Sequence, residues 1–217
     1  MVLDEVNSLV LAKLALEKFG FDAEAVPLTF VKMRENTVFR ADTPDGPIAL
    51  RLHRPGYRSQ EEISAESEYI EMLAGRGFPV VRLVPTLTAE FTAVVSDGKT
   101  EVIVDAQRWL EASRQLGNTE AEDGDDELEP EHFFQMGSIA ARMHHVAEEL
   151  AGSQHFKRAP WDAEGLIGEQ ALWGDALTVP GLDTDAREQL LRTRSLMLHA
   201  LAEFGSLPAV YGTIHAD

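Results

Sequence analysis

Apolar residues along the chain change their period twice. Between residues 25 and 110 they fall into short β-type runs: Val26 to Met33, Thr37 to Ala41, Pro47 to His53, Val80 to Leu87, Phe91 to Ser96 and Glu101 to Gln107. Gly and Asp punctuate these runs, and Pro44-Asp45-Gly46 and Ser96-Asp97-Gly98-Lys99 carry the residue types of hairpin turns. The pattern predicts an antiparallel sheet of five or six strands. One helix interrupts it, because Ser59 to Leu73 places Ile63, Tyr69 or Ile70, and Leu73 at helical spacing before Gly75, Gly77 and Pro79 end the segment. Ahead of the sheet, Asp4 to Phe19 reads as an amphipathic helix through Val6, Leu9, Val10, Leu14 and Phe19, closed by Gly20.

Beyond residue 131 the period becomes 3.6. Phe133, Met136, Ile139, Ala140, Met143, Val146 and Leu150 form one stripe, with Pro130 and Glu131 suited to a first turn. Burying such side chains supplies on the order of 10 kcal/mol, which predicts that this helix is the spine of a second core. Asp183 to Phe204 repeats the pattern through Ala186, Leu190, Met197, Leu201 and Phe204. An irregular Trp-containing stretch, Ala159 to Leu166 and Leu172 to Asp175, lies between them, and no internal repeat is visible. Strands with one inserted helix followed by a helical region predict an α+β chain in two lobes, divided as 1–110, a linking segment 111–131, and 132–217.

Composition adds limits. A chain of 217 residues with 44% hydrophobic positions is long enough to bury a real core. The absence of cysteine removes disulfides, thiolate metal sites and a cysteine nucleophile. The net charge is −18, and residues 111–131, with nine acidic side chains and only Arg114 to oppose them, carry −8 of it. That segment has too few aliphatic side chains to offset its ordering entropy and reads as a mobile, solvated loop rather than a cation site. The overall charge argues against nucleic acid and anionic lipid as partners. No stretch approaches the ~18 uninterrupted apolar residues of a membrane span, and no secretory signal is visible, so a cytoplasmic location is expected.

Two constellations could carry chemistry. Arg51 lies on a predicted strand, and Glu66 follows on the one inserted helix; a strand cation held by a helix carboxylate is a way to fix positive charge against a polyphosphate. By spacing alone a surface ion pair is the plainer reading. The run Val210 to Asp217 delivers a His-x-Asp, which could hold a carboxylate at a cleft to take a proton from a hydroxyl, although two such residues are usually incidental. Common phosphate-loop, dinucleotide, zinc-protease and serine-hydrolase motifs are absent. His144 and His145 are adjacent, point in different directions on a helix and make a poor metal pair. Trp161 and Trp173 could line an acceptor pocket, with packing the plainer role.

Taken in order, six segments resemble the aminoglycoside phosphotransferase and choline kinase-like family, relatives of the protein kinases. They are Glu35 to Arg40, Leu50 to Ser59 with Ile63 to Glu66, Trp109-Leu110-Glu111, Met136 to His144, Trp161 to Leu166, and Tyr211 to Asp217. The texture is similar to the homoserine kinase-like and bacterial stress-response Ser/Thr kinase branches. The resemblance implies a protein-kinase-like two-lobed fold, an antiparallel sheet lobe with one inserted helix and a mostly helical second lobe, which the chain holds in part.

It also implies ATP and Mg²⁺ as cofactors and a small-molecule hydroxyl acceptor, which the acidic segment would suit if cationic. On this likeness Asn36 and Thr37 belong to the turn over the phosphates. Arg51 takes the phosphate-contacting lysine position with Glu66 as its ion-pair partner, and Gln107, Arg108 and Leu110 form the adenine hinge. Asp217 is the catalytic carboxylate, with His215 the structural histidine of its loop. Arg for Lys at position 51 is a departure, since the guanidinium is planar and bulkier. The family's motif continues past this Asp to an Asn and a second Asp that hold the metal, so no metal ligand is expected up to residue 217. A chain ending there is expected to be inactive or nearly so. The alternatives are a non-catalytic nucleotide-binding or scaffolding relative, and a Ser/Thr protein kinase. Oligomeric state is not legible.

Overall fold

Alternation along five strands lays out the first part of the molecule. β1 (Leu28–Met33), β2 (Asn36–Thr43), β3 (Gly46–His53), β4 (Thr92–Ser96) and β5 (Glu101–Arg108) form one sheet in the order β1-β2-β3-β5-β4, every neighbouring pair antiparallel. The structure, a computed structural model, describes residues 5–110, 130–150, 159–206 and 212, so residues 111–129 of the acidic segment and the His-x-Asp terminus lie outside the described residues. It divides into two compact units, Met1–Ile139 and Ala140–Asp217.

Successive side chains of a strand point to opposite faces. Phe39, Ile48, Leu50, Leu52, Val102 and Val104 are almost wholly buried and line one face. The expected β2–β3 hairpin closes through Pro44 and Asp45, where Thr43 Oγ1 donates to the Gly46 carbonyl at 2.6 Å and Gly46 takes a φ of 100° that favours glycine. In the β4–β5 hairpin, Asp97 Oδ1 accepts from the backbone N–H groups of Lys99 and Thr100. Val80 to Leu87 does not become a sixth strand. Pro79 and Pro85 deny it ladder donors, and it contributes one isolated bridge, Leu83 to Gln107, flanked by Val84 N donating to the Ala106 carbonyl.

Helix α1 (Glu5–Lys18) covers the apolar face with only part of the stripe predicted for it: Phe19, just past its end, is buried and Leu14 packs against the core. Val6, Leu9 and Val10 are exposed, while Leu11, Ala12, Ala15 and Leu16 are fully buried. The helix is apolar on most sides, so its periodicity left the face open; the two alanines let it approach the sheet closely. Helix α2 (Gln60–Gly75) starts at a capping box in which Glu62 N donates to Ser59 Oγ at 3.2 Å and Ser59 N donates to Glu62 Oε2 at 2.9 Å. Its Ser64 and Glu66 reach Thr92 and Arg51 on the other face of the sheet, so the two helices serve opposite faces.

Helix α3 (Pro130–Leu150) forms where expected, yet its stripe is not a buried spine. Phe133 is 56% exposed and Met136 55%, and burial begins only at Val146 and Ala147. Periodicity states which face of a helix can be buried, and burial itself requires an element to meet that face. In the second unit, Asp162 caps α4 (Ala163–Ile167) by accepting from Gly165 N at 2.8 Å, and Asp183 caps α5 (Thr184–Phe204) by accepting from Ala186 N at 2.8 Å. Gly165 runs so close to the Pro160 carbonyl that no Cβ fits there. Trp161 and Trp173 meet edge to face with centroids 4.9 Å apart. Among the described residues, no helix is long and apolar enough to cross a membrane.

Leu50→Ala in the sheet core is expected to lower the unfolding free energy by about 2–5 kcal/mol in urea titrations. Leu196→Ala, on the exposed side of α5, is expected to change it by less than about 0.5 kcal/mol.

Candidate functional site

The face of the sheet opposite α1 is polar at its centre. Arg51 and His53 on β3 share that face by the two-residue period, and Asp105 on β5 is the direct cross-strand partner of Arg51. The resulting cluster is short and dense. Arg51 Nε donates to Asp105 Oδ1 at 2.9 Å and Arg51 Nη2 to Oδ2 at 2.8 Å, a side-on pair, while Nη2 also reaches Glu66 Oε1 at 3.2 Å. His53 Nε2 meets Asp105 Oδ2 at 2.6 Å. With its amide oxygen turned to the guanidinium, Gln107 accepts from Arg51 Nη2 at 3.2 Å and from Nε at 3.3 Å.

Charge explains the stability of this arrangement. Burial would raise the pKa of the Asp105 carboxyl, but the hydrogen bond from His53 and the Arg51 guanidinium together hold it below the ordinary carboxylate value. Burial would likewise lower that of Arg51; Asp105 first and then Glu66 outweigh it, and the guanidinium is held more firmly protonated than usual. Asp105 is therefore an ion that only accepts, which places a proton on His53 Nε2.

The structure brings Arg51, Glu66 and Gln107 together. Asn36 lies at the start of β2, in register with His53, at the same end of the sheet. The Thr37 side chain is buried on the face it shares with Phe39 and Ala41, so any contact it makes with a ligand on the polar face is through its backbone. Arg108 turns toward the β2–β3 turn, donating to the Asp45 carbonyl at 2.9 Å, and its own N–H is bonded to the Arg82 carbonyl. Leu110 is exposed just past β5. His215 and Asp217 lie outside the described residues. Asp105 and His53 were not singled out from the sequence. A signal existed for the first: an acidic residue within the apolar run Val102-Ile-Val-Asp-Ala106, on a strand that could pair with that of Arg51. For the second, the two-residue spacing from Arg51 was available. Among the described residues, no group of three or more His, Cys, Asp or Glu could hold a metal ion.

Comparisons with known proteins agree with this layout. The family model described as a phosphotransferase enzyme family matches residues 29–217. An amicoumacin kinase of Bacillus subtilis (strain 168) is 23% identical over 204 residues, covering 94% of this chain and 55% of the relative. The chain thus spans about half the length of that curated relative. Among solved structures, a microcompartment-associated aminopropanol kinase superimposes with a TM-score of 0.75 at 24% identity, over 96% of this chain and 62% of the other. An amicoumacin kinase in complex with AMP-PNP, Ca²⁺ and Ami gives 0.69 at 19% identity, over 99% of this chain and 58% of the other. The two structural likenesses establish the protein-kinase-like α+β fold.

Replacing Arg51 by Met leaves Asp105 a buried ion with His53 as its remaining donor, and is expected to cost about 3 kcal/mol of stability by chemical denaturation. Because the native Asp105 pKa is depressed, its contribution is present above the unfolded carboxylate value of about 3.9 and is lost as pH falls from there toward the native value. Asp105→Asn is expected to flatten that acid limb in a plot of unfolding free energy against pH.

Proposed function

We propose, for a chain that belongs to the phosphotransferase enzyme family, that it serves an ATP-dependent transfer of the γ-phosphoryl group to a hydroxyl of a small molecule. The observation that carries this reading is Arg51, a cation fixed at the centre of the polar sheet face by Asp105 and Glu66, with no partner for its Nη1 among the described residues. A guanidinium in which one edge is anchored and the other end unpaired is suited to receive a phosphate oxygen. ATP, bound with a divalent ion such as Mg²⁺, supplies the transferable phosphoryl group, and catalysis is then largely positioning and charge stabilisation.

Each residue has a part in that positioning. The backbone of the bend at Arg34 and Glu35 and of the first β2 residues, Asn36 and Thr37, which are strand rather than turn residues, covers the phosphates, Arg51 holds a phosphate oxygen, and the segment from Gln107 to Leu110 receives the adenine. Asp217 orients the acceptor hydroxyl and takes its proton, with His215 shaping the loop that presents it. The residues described include no metal ligand set, and none is assigned. The −8 charge of residues 111–131 favours a cationic acceptor, and the aminopropanol kinase among the structural relatives makes an amino alcohol the first class to try.

Because the chain spans little more than half of its curated relative, nucleotide binding is the direct test. Calorimetric titration is expected to show ATP binding more tightly than adenosine, and Arg51→Lys is expected to reduce that preference about tenfold. In a phosphotransfer assay with amino alcohols as acceptors, run on a protein that carries the family's metal-holding Asn and Asp after residue 217, Asp217→Asn is expected to abolish transfer while leaving ATP affinity unchanged. Failure of the unsubstituted chain to bind ATP would overturn the reading.

A further inference from the structure

Arg51 has more carboxylate around it than a single helix partner provides. Its guanidinium contacts Asp105 through both Nε and Nη2, at 2.9 and 2.8 Å, but Glu66 through Nη2 alone at 3.2 Å. The two acceptors also differ in surroundings. The Asp105 side chain is 1% exposed and that of Glu66 27%, so the first pair is shielded from water and the second is only partly so. Their supports differ as well. Arg51 and Asp105 are register partners on adjacent strands, and the ladder between β3 and β5 sets their spacing, whereas Glu66 rides on a helix joined to β3 by residues 54–59.

We propose that Asp105, itself held by His53, is the positioning residue that aims Arg51 at the nucleotide phosphates, and that Glu66 is a secondary tether; this rests on the nucleotide-binding reading above. The geometry makes a chain of three steps. His53 Nε2 donates to Asp105 Oδ2 at 2.6 Å and fixes the carboxylate. The carboxylate takes the Nε–Nη2 edge of the guanidinium, and the Gln107 oxygen lies 3.2–3.3 Å from the same two nitrogens. With that edge consumed, the plane of the guanidinium is set, and Nη1 is the end left to meet an anion. A lysine at this position would present one nitrogen to Asp105, Glu66 and phosphate together, and its direction would be set by none of them. Arginine and Asp105 are in this sense one device, in which a planar cation is oriented by a strand carboxylate.

The test compares ligands that differ only in phosphate. Calorimetry gives the affinities of ATP and of adenosine for the 217-residue chain and for Asp105→Asn and Glu66→Gln. Asp105→Asn keeps the shape of the side chain but loses the ionic anchor, and the ratio of ATP to adenosine affinity is expected to fall about tenfold with adenosine affinity unchanged. A general disturbance of the fold would weaken both ligands alike. Glu66→Gln is expected to change the ratio less than about threefold. An unchanged or raised ratio in Asp105→Asn, beside normal ATP binding by the unsubstituted chain, would overturn this inference alone. So would a tenfold or larger loss in Glu66→Gln, which decides the matter even if Asp105→Asn does not fold. Absence of ATP binding by the unsubstituted chain would overturn both this inference and the phosphotransferase reading.

Discussion

A carboxylate at the middle of β5 with 1% of its side chain exposed has to be matched by donors in the same layer, or it would not stay ionised. Asp105 finds them in two side chains of the neighbouring strand, Arg51 and His53, because antiparallel pairing places all three on one face. Arg51 is thereby drawn onto the sheet, and its Nη2, shared with Asp105, also reaches the helix carboxylate of Glu66. The polar face is thus organised outward from one buried ion.

That organisation depends on the opposite face being apolar at its centre. Leu50 and Leu52 flank Arg51 in sequence, and Val104 and Ala106 flank Asp105; all four are buried under α1. A shift of one residue in the pairing of β3 with β5 would exchange the two faces, driving the guanidinium into the hydrocarbon layer and the leucines toward the site. The hydrophobic core therefore also sets the register on which the Arg51–Asp105 geometry rests. The hairpin between β2 and β3, closed by Thr43 and Gly46, fixes the other side of β3.

The helical segments follow a different logic. Asp162 and Asp183 set where α4 and α5 begin, through local hydrogen bonds to the first-turn N–H groups. Their lateral surfaces remain largely open, as do Phe133 and Met136 at the start of α3. Local signals are enough to start and stop a helix, while the use of its apolar face is decided by what comes against it. The likeness to the family to which the chain belongs runs over residues 29–217, and Arg51, Glu66 and Gln107 cluster in the sheet unit.

The sequence by itself determined the class of the fold, five of the strands, both hairpin turns and the inserted helix with its Ser59 start; the pairing of Arg51 with Glu66 came only through the family resemblance. The former are legible because they rest on periods of 2 and 3.6 and on cap and turn residues, all of which act within a few positions. The face of α1 that is buried and the exposure of the α3 stripe were decided by tertiary packing, whereas Val80 to Leu87 is kept from strand pairing by Pro79 and Pro85, a local signal that its apolar run obscured. Tertiary structure also decided the dominant partner of Arg51: Asp105 lies 54 residues away in the chain, and only the β3–β5 register brings the two within hydrogen-bonding distance. Pairing across strands is a long-range property, because it depends on which hydrophobic face wins the core, and the core is chosen by the whole sheet at once.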